Sequence, residues 1–215
     1  MGHTLIDLSA VVCASWYGAP YVGRAVEYTL KYMVDPKRTV VALDMPPYWR
    51  GDVFHDYKRG RKPKPDGLHK AMDVARREFE KAQAQVIGVD GFEADDILAT
   101  AAVLVEKAII VSSDRDLFQC LREGVVQRLV GHSHDLITAD DVRAQYGVPC
   151  ERWASYRALV GDKSDRLEGV PGIGPKKASR LVAACDDRTL AARFQSFELT
   201  RRLALAGGAP IAVWG

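Results

Sequence analysis

Carboxylates at the ends of apolar runs are the first residues in this chain whose types and spacing could do chemistry. Thr4-Leu5-Ile6 leads into Asp7, Thr39-Val40-Val41-Ala42-Leu43 into Asp44, and Ile109-Ile110-Val111 into Ser112-Ser113-Asp114, with Asp116 two residues on. Phe92-Glu93-Ala94-Asp95-Asp96-Ile97 places three acids at a helix start, and Gly161-Asp162-Lys163-Ser164-Asp165 adds two more. Taken singly, each acid reads as a helix cap or a solvated turn residue. Taken together, acids that share one sheet edge repel and raise one another's pKa unless cations neutralise them. The five histidines show no HExxH spacing, and a donor set made of oxygen suits Mg²⁺ or Mn²⁺, not zinc. Two such ions can activate water and stabilise the oxygen leaving a phosphodiester.

Two basic features could meet such a substrate. Tyr57-Lys58-Arg59-Gly60-Arg61-Lys62, with Lys64 close behind, concentrates five cations. They could neutralise phosphates while Tyr57 stacks on a terminal base, although a solvated basic loop has the same composition. Gly169-Val170-Pro171-Gly172-Ile173-Gly174-Pro175-Lys176-Lys177-Ala178 resembles a helix-hairpin-helix. There Gly172 and Gly174 let backbone N–H groups approach phosphate at a helix start, and Lys176 and Lys177 add charge; an ordinary Gly/Pro turn is the alternative.

The elements that must position these residues alternate. Strands are expected at Thr4–Leu8, Thr39–Leu43, Gln85–Val89, Ala108–Val111 and Val125–Val130, with Leu136–Thr138 closing a hairpin. Helices are expected at Tyr21–Met33, Leu68–Gln83, Phe92–Lys107, shortly over Asp116–Leu121, and from a Thr138 cap through Tyr146. Arg50 to Asp66 reads as a polar, partly ordered surface segment. Beyond Gly147 only helices are expected, at Glu151–Val160, Pro175–Ala184, Thr189–Phe197 and Leu199–Leu205. This pattern implies an α/β fold with a mostly parallel central sheet flanked by helices (1–147), followed by a helical lobe (148–215). In such sheets the crevice beyond the strands' C-terminal ends is the usual place for a site.

Composition narrows the rest. The 215 residues carry a net charge of +2, which excludes a uniformly basic shell but not local basic patches. Cys13, Cys120, Cys150 and Cys185 form no CxxC pair and read as thiols in a reducing compartment, and no signal or membrane-spanning stretch stands out. A cytoplasmic protein with no membrane partner is therefore expected. Neither a GxGxxG after a strand nor a GxxxxGK[ST] loop is present, which disfavours a dinucleotide- or ATP-binding enzyme.

Six ordered blocks, from Leu5-Ile6-Asp7 through Tyr156-Arg157-Ala158-Leu159-Val160-Gly161-Asp162-Lys163-Ser164-Asp165, make the stretch from Leu5 to Ala184 resemble the 5′ nuclease family of flap endonucleases and 5′-3′ exonucleases. It is similar to the 5′ nuclease domain of bacterial family A DNA polymerases and to stand-alone bacterial and phage enzymes. The resemblance implies a PIN-like core with a helix-three-turn-helix form of the hairpin. It also implies hydrolysis of DNA at or near 5′ ends, flaps and junctions, giving 5′-phosphate and 3′-hydroxyl products.

Its implied metal set is Asp7, Asp44, Glu93, Asp95, Asp96, Asp114, Asp116, Asp162 and Asp165, holding two Mg²⁺ or Mn²⁺ ions, with K⁺ as a candidate at the hairpin. Lys58 would approach the scissile phosphate, Arg61 would assist, and Asp7, Asp44, Glu93, Asp95 and Asp114 or Asp116 would lie nearest the reaction. DNA contact falls to Tyr57, Lys58, Arg59, Arg61, Lys62, Gly172, Gly174, Lys176 and Lys177. The implied partners are DNA with duplex and single-stranded 5′ portions, RNA in RNA–DNA hybrids, and a polymerase or other replication or repair protein. The setting would be the cytoplasm of a bacterial or phage-infected cell. Arg166 and Glu168 stand where the family usually has Asn and Pro. A PIN-type ribonuclease and a catalytically inert nucleic-acid-binding scaffold are the competing readings.

Overall fold

Asp7 decides where the first strand stops. In a computed structural model, which describes residues 2–131 and 136–205, β1 (His3–Asp7) ends because the Asp7 side chain accepts the Ala10 N–H and caps α1 (Leu8–Gly18). The sequence reading carries that strand to Leu8 and has no helix there: small and β-branched residues give α1 little periodicity, so only the cap announces it. Next come α2 (Val22–Leu30), β2 (Thr39–Ala42), α3 (Trp49–Val53), α4 (Asp66–Lys81), β3 (Gln85–Ile87), α5 (Ala94–Leu104) and β4 (Ala108–Val111). A 3₁₀ turn (Arg115–Cys120) leads to β5 (Val125–Arg128), β6 (Leu136–Ile137) and α6 (Ala139–Tyr146), which Thr138 caps and Gly147 ends at φ 67°. The C-terminal elements are α7 (Trp153–Val160), β7 (Gly161–Asp162), β8 (Leu167–Glu168), α8 (Pro175–Ala184), α9 (Asp187–Arg193) and α10 (Phe197–Ala204).

The six-stranded sheet has the order β3-β2-β1-β4-β5-β6, parallel except for the β5–β6 pairing. Each strand splits its side chains between two faces. Leu5, Val40, Ala42 and Ile110 face α5 and the C-terminal helices, whereas Ile6, Val41 and Val111 face α1, α2 and α4. The register sets Asp7 beside Ala42, so Asp7, Asp44 and Asp114 emerge at one edge, past the strands' C-terminal ends.

The C-terminal helices share the first of these cores. Trp153 of α7 packs on Phe118 and Tyr146 at ring-centroid separations of 5.2 and 4.9 Å and stacks on Tyr156 at 5.0 Å. That cluster seats α7 against the 3₁₀ turn carrying Asp116.

Three expectations change. Arg50 does not begin a surface segment: it lies in α3 with only 1% of its side chain exposed, because buried acids surround its guanidinium. The C-terminal lobe is not wholly helical, since β7 and β8 pair antiparallel across the Asp162–Asp165 turn. Its last two helices are α9 and α10, offset from the expected Thr189–Phe197 and Leu199–Leu205 because Asp186 caps the first through the Thr189 N–H. The lobe's expected extent to 215 runs past the described residues. No helix among the described residues is long and apolar enough to cross a membrane.

Candidate active site

At the acidic edge lies a cavity of about 710 Å³ that Asp7, Asp44, Glu93, Asp95, Asp114, Asp116, Asp162 and Asp165 all line. Five separate segments bring them there: the ends of β1 and β2, the start of α5, the turn after β4, and the β7–β8 hairpin. The convergence read from the strand ends is therefore present in three dimensions.

Asp7 and Asp44 are tied down by backbone and hydroxyl donors. Asp7 accepts from the Ala10 N–H at 2.9 Å and from the Ser112 hydroxyl at 2.8 Å. Burial, then the nearby Asp44 and Asp114 charges, pushes its carboxyl up to about 6. Asp44 accepts from the Ala94 N–H at 3.0 Å and so pins the start of α5, where unpaired N–H groups favour negative charge, to the end of β2. Ser112 also receives the Asp114 N–H at 3.0 Å, while Gln127 holds the Ser112 and Asp114 carbonyls.

The acids of α5 divide into two groups. Glu93 and Asp95 face the cavity, whereas Asp96 does not line it. Asp96 is fully buried, with its two oxygens 2.7 and 2.9 Å from Arg50, and it also accepts from the Glu93 N–H at 3.2 Å. The structure thus separates Asp96 from the expected ligand set: its charge is spent on an interior guanidinium. Asp95 is the opposite case. Its Oδ1 is buried with no hydrogen-bond partner, and burial raises its carboxyl well above the ordinary range.

Cations fill the remaining space. Lys58, in the left-handed region at φ 53°, pairs with Glu93; Arg61 pairs with Asp165; and Arg157 bridges Asp116 at 2.7 Å to Asp162. Even so, burial, Asp114 and Asp162 push the Asp116 carboxyl up to about 7. Burial works against ionised Asp162, but the Ser164 hydroxyl and Arg157 hold it below its ordinary value. Among the described residues no three His, Cys, Asp or Glu side chains already stand in metal-ligating geometry. Each of Glu93, Asp116, Asp162 and Asp165 instead pairs with a lysine or an arginine.

The expected DNA-contacting residues are spread out. Lys58, Arg61 and Lys62 line the cavity, while Arg59 is exposed and pairs with Asp56. Tyr57 is not a free stacking surface: its hydroxyl donates to Glu93 at 2.8 Å with Asp165 3.3 Å away, and burial, then those carboxylates, raises its pKa. Gly172 (φ +77°), Gly174 at the start of α8, and exposed Lys176 and Lys177 lie outside the cavity. The sequence reading assigns no role to Arg50, Arg157 or Ser112. No spacing signal marks either arginine, but Ser112 immediately after β4 could have been noticed, being where a hydroxyl meets the Asp7 edge.

The family profile described as "5′-3′ exonuclease, N-terminal resolvase-like domain" matches residues 21–147. The chain belongs to that family. This family member is 39% identical over 154 residues to the thermostable DNA polymerase I of Thermus filiformis, covering 69% of the chain and 18% of that polymerase. It is 35% identical over 165 residues to flap endonuclease Xni of Shewanella woodyi, covering 75% of the chain and 65% of the relative. It thus spans under a fifth of the polymerase and just under two thirds of the endonuclease. Among solved structures, the T5 D15 protein co-crystallised with metal ions superposes with a TM-score of 0.76 at 18% identity, covering 97% of this chain and 90% of that one, which shows a shared fold.

Proposed function

We propose that this chain hydrolyses DNA phosphodiester bonds at or near 5′ ends, flaps and junctions, with a divalent metal ion as cofactor. The carrying observation is the convergence of eight carboxylates on one cavity, with Lys58, Arg61 and Lys62 among its lining residues. The relatives named DNA polymerase I and flap endonuclease support the reading.

The cavity's chemistry fits a hard cation. Its donors are carboxylate oxygens, Asp95 Oδ1 is a buried acceptor left without a donor, and Asp7 is raised in part by repulsion that a cation would relieve. Asp7, Asp44, Glu93, Asp95 and Asp114 would hold one ion, and Asp116, Asp162 and Asp165 a second. Bound there, Mg²⁺ or Mn²⁺ would supply Lewis acidity and a water acidified toward neutral pH.

The chain's own residues do the rest. Lys58 and Arg61 balance Glu93 and Asp165 and would turn from those carboxylates to an incoming phosphate. Tyr57 holds Glu93 and Asp165 together, which keeps α5 and the β7–β8 turn in register. Hydroxide adds to phosphorus as the P–O3′ bond breaks, leaving a 5′-phosphate and a 3′-hydroxyl.

The division of labour follows the boundary near residue 147. The sheet carries most of the acids, and the lobe contributes Asp162, Asp165 and the hairpin, where Gly172, Gly174, Lys176 and Lys177 would grip duplex backbone. A K⁺ ion at the hairpin would have to take the Gly172 carbonyl from Lys177, which donates to it at 3.0 Å. RNA in hybrids and a polymerase partner extend the same reading. Four free cysteines and bacterial relatives support a bacterial or phage-infected cytoplasm as its setting.

The test is a 5′-labelled flap duplex and a single-stranded RNA incubated with Mg²⁺ or Mn²⁺. The reading expects cleavage of the flap and its loss in Asp95→Asn. Preferential cutting of the RNA would move the assignment to a ribonuclease, and flap turnover unchanged in Asp95→Asn would end it.

A further inference from the structure

Among the described residues Arg50 is the most enclosed cation, and every one of its N–H groups has a partner. Nη1 donates to Glu93 at 2.9 Å and to Asp96 at 2.7 Å. Nη2 donates to the other Asp96 oxygen at 2.9 Å and to the Leu205 carbonyl at 3.4 Å, and Nε donates to the Leu203 carbonyl at 3.0 Å. Three donors therefore hold the acidic start of α5, and two hold carbonyls at the end of α10. Those carbonyls belong to the set a helix leaves unpaired at its C-terminus, where a cation is favoured. The carbonyl between them, that of Ala204, accepts from Gln119 Nε2 at 3.1 Å, and the same amide also donates to the Asp116 carbonyl.

From this accounting we infer that Arg50 is a positioning residue that makes the seating of α10 part of the acid cluster, with Gln119 as its second attachment. The C-terminal helix is thus joined by one side chain to Glu93 and by the other to the backbone of Asp116. If α10 shifts, Arg50 must give up either helix carbonyls or carboxylates, and the Leu203 carbonyl and both carboxylates are buried, so none of these can turn to water. Lysine cannot substitute, because its three donors and point charge cannot reproduce a five-donor planar fork. Nor does Arg50 simply neutralise the cavity. Its donors are used up on Glu93, Asp96 and carbonyls, and the Asp95 Oδ2 it approaches at 3.5 Å receives no hydrogen bond from it. Asp95 Oδ1, buried without a hydrogen-bond partner, is left to whatever enters the cavity.

This inference rests on the metal-dependent reading above, so its test uses the ion alone. Mn²⁺ binding to the whole chain is titrated by electron paramagnetic resonance, beside thermal unfolding, for wild type, Arg50→Lys, Gln119→Ala, the double variant and Leu190→Ala. Leu190 of α9 is buried and bonds neither to Arg50 nor to the acids, so it reports lost packing only.

Partners that orient ligands typically change metal affinity about 10-fold or more when altered. Arg50→Lys is therefore expected to weaken Mn²⁺ binding by at least about 10-fold. Gln119→Ala weakens it in the same direction, the double variant by less than the product of the two, and Leu190→Ala not at all despite a lower Tm. Wild-type Mn²⁺ affinity in both Arg50→Lys and Gln119→Ala would overturn the proposal while leaving the metal reading intact. Should Arg50→Lys fail to fold, Gln119→Ala decides alone. Absence of Mn²⁺ binding by the wild type would overturn the metal reading and this inference with it.

Discussion

Replacing Arg157 by methionine removes the single cation between Asp116 and Asp162 while keeping a side chain of similar reach. Arg157 makes a 2.7 Å bond to Asp116 and a second bond to Asp162, with about one fifth of each side chain exposed. Hydrogen bonds to charged groups contribute about 1.5–3 kcal/mol each, and breaking a buried pair from one side costs about 3–5 kcal/mol. Partial exposure lowers that, so about 3 kcal/mol is expected for Arg157→Met at about pH 8 in metal-free buffer. For a chain of this size that is a Tm drop of about 6–12 °C.

The loss must depend on pH. Asp116 already sits near 7 with Arg157 present, so removing the cation raises it further. Near pH 5 Asp116 is neutral in both proteins, and only the Asp162 contribution is lost, about half the total. Urea unfolding in EDTA at about pH 5 and pH 8 reads the difference directly. An equal loss at both values would refute the idea that Arg157 acts by compensating these two charges.

Three further outcomes are expected. The Asp7 carboxyl is raised from 3.8 to about 6 on folding, so its contribution to stability is present below the lower value and lost as pH rises through the upper one. The Tm of EDTA-treated protein should therefore fall less steeply between about pH 4 and pH 7 in Asp7→Asn than in wild type, and identical slopes would contradict the shift. Lys58→Ala should lower kcat on flap DNA about 100-fold, measured under single turnover, whereas a pure KM effect would reassign Lys58 to binding. Burial pushes the Cys120 and Cys150 thiols up to about 12 and 11, so both should react slowly with a disulfide reagent at neutral pH; rapid labelling of either, read by mass spectrometry, would show that its surroundings open.

What was legible in the chain is what local pattern controls. Apolar runs closing on Asp7, Asp44 and Asp114 predict strands with acidic ends, and parallel pairing carries those ends to one edge. The Glu93-Ala94-Asp95-Asp96 start of α5 was visible for the same reason, but which acid faces inward was not. Asp96 is one residue past Asp95, and the roughly 100° turn between neighbouring helical positions sends its carboxylate to Arg50 instead of the cavity. The guanidinium partners escaped because long-range ion pairs leave no periodic trace: Arg50 is 153 residues from the carbonyl it binds on α10. Tyr57 escaped similarly, since its basic neighbours suggest solvent, yet its hydroxyl turns into the acids. Helix α1 was missed because its start depends on Asp7 serving at once as strand end, helix cap and cavity wall.

If acids from five segments together hold divalent cations in one cavity, crystals soaked in Mn²⁺ will show it by anomalous diffraction. Peaks are expected within bonding distance of oxygens of Asp7, Asp44, Glu93, Asp95 or Asp114, with the Lys58 amine displaced from Glu93. Peaks found only outside the cavity, with every carboxylate still paired to its lysine or arginine, would contradict it.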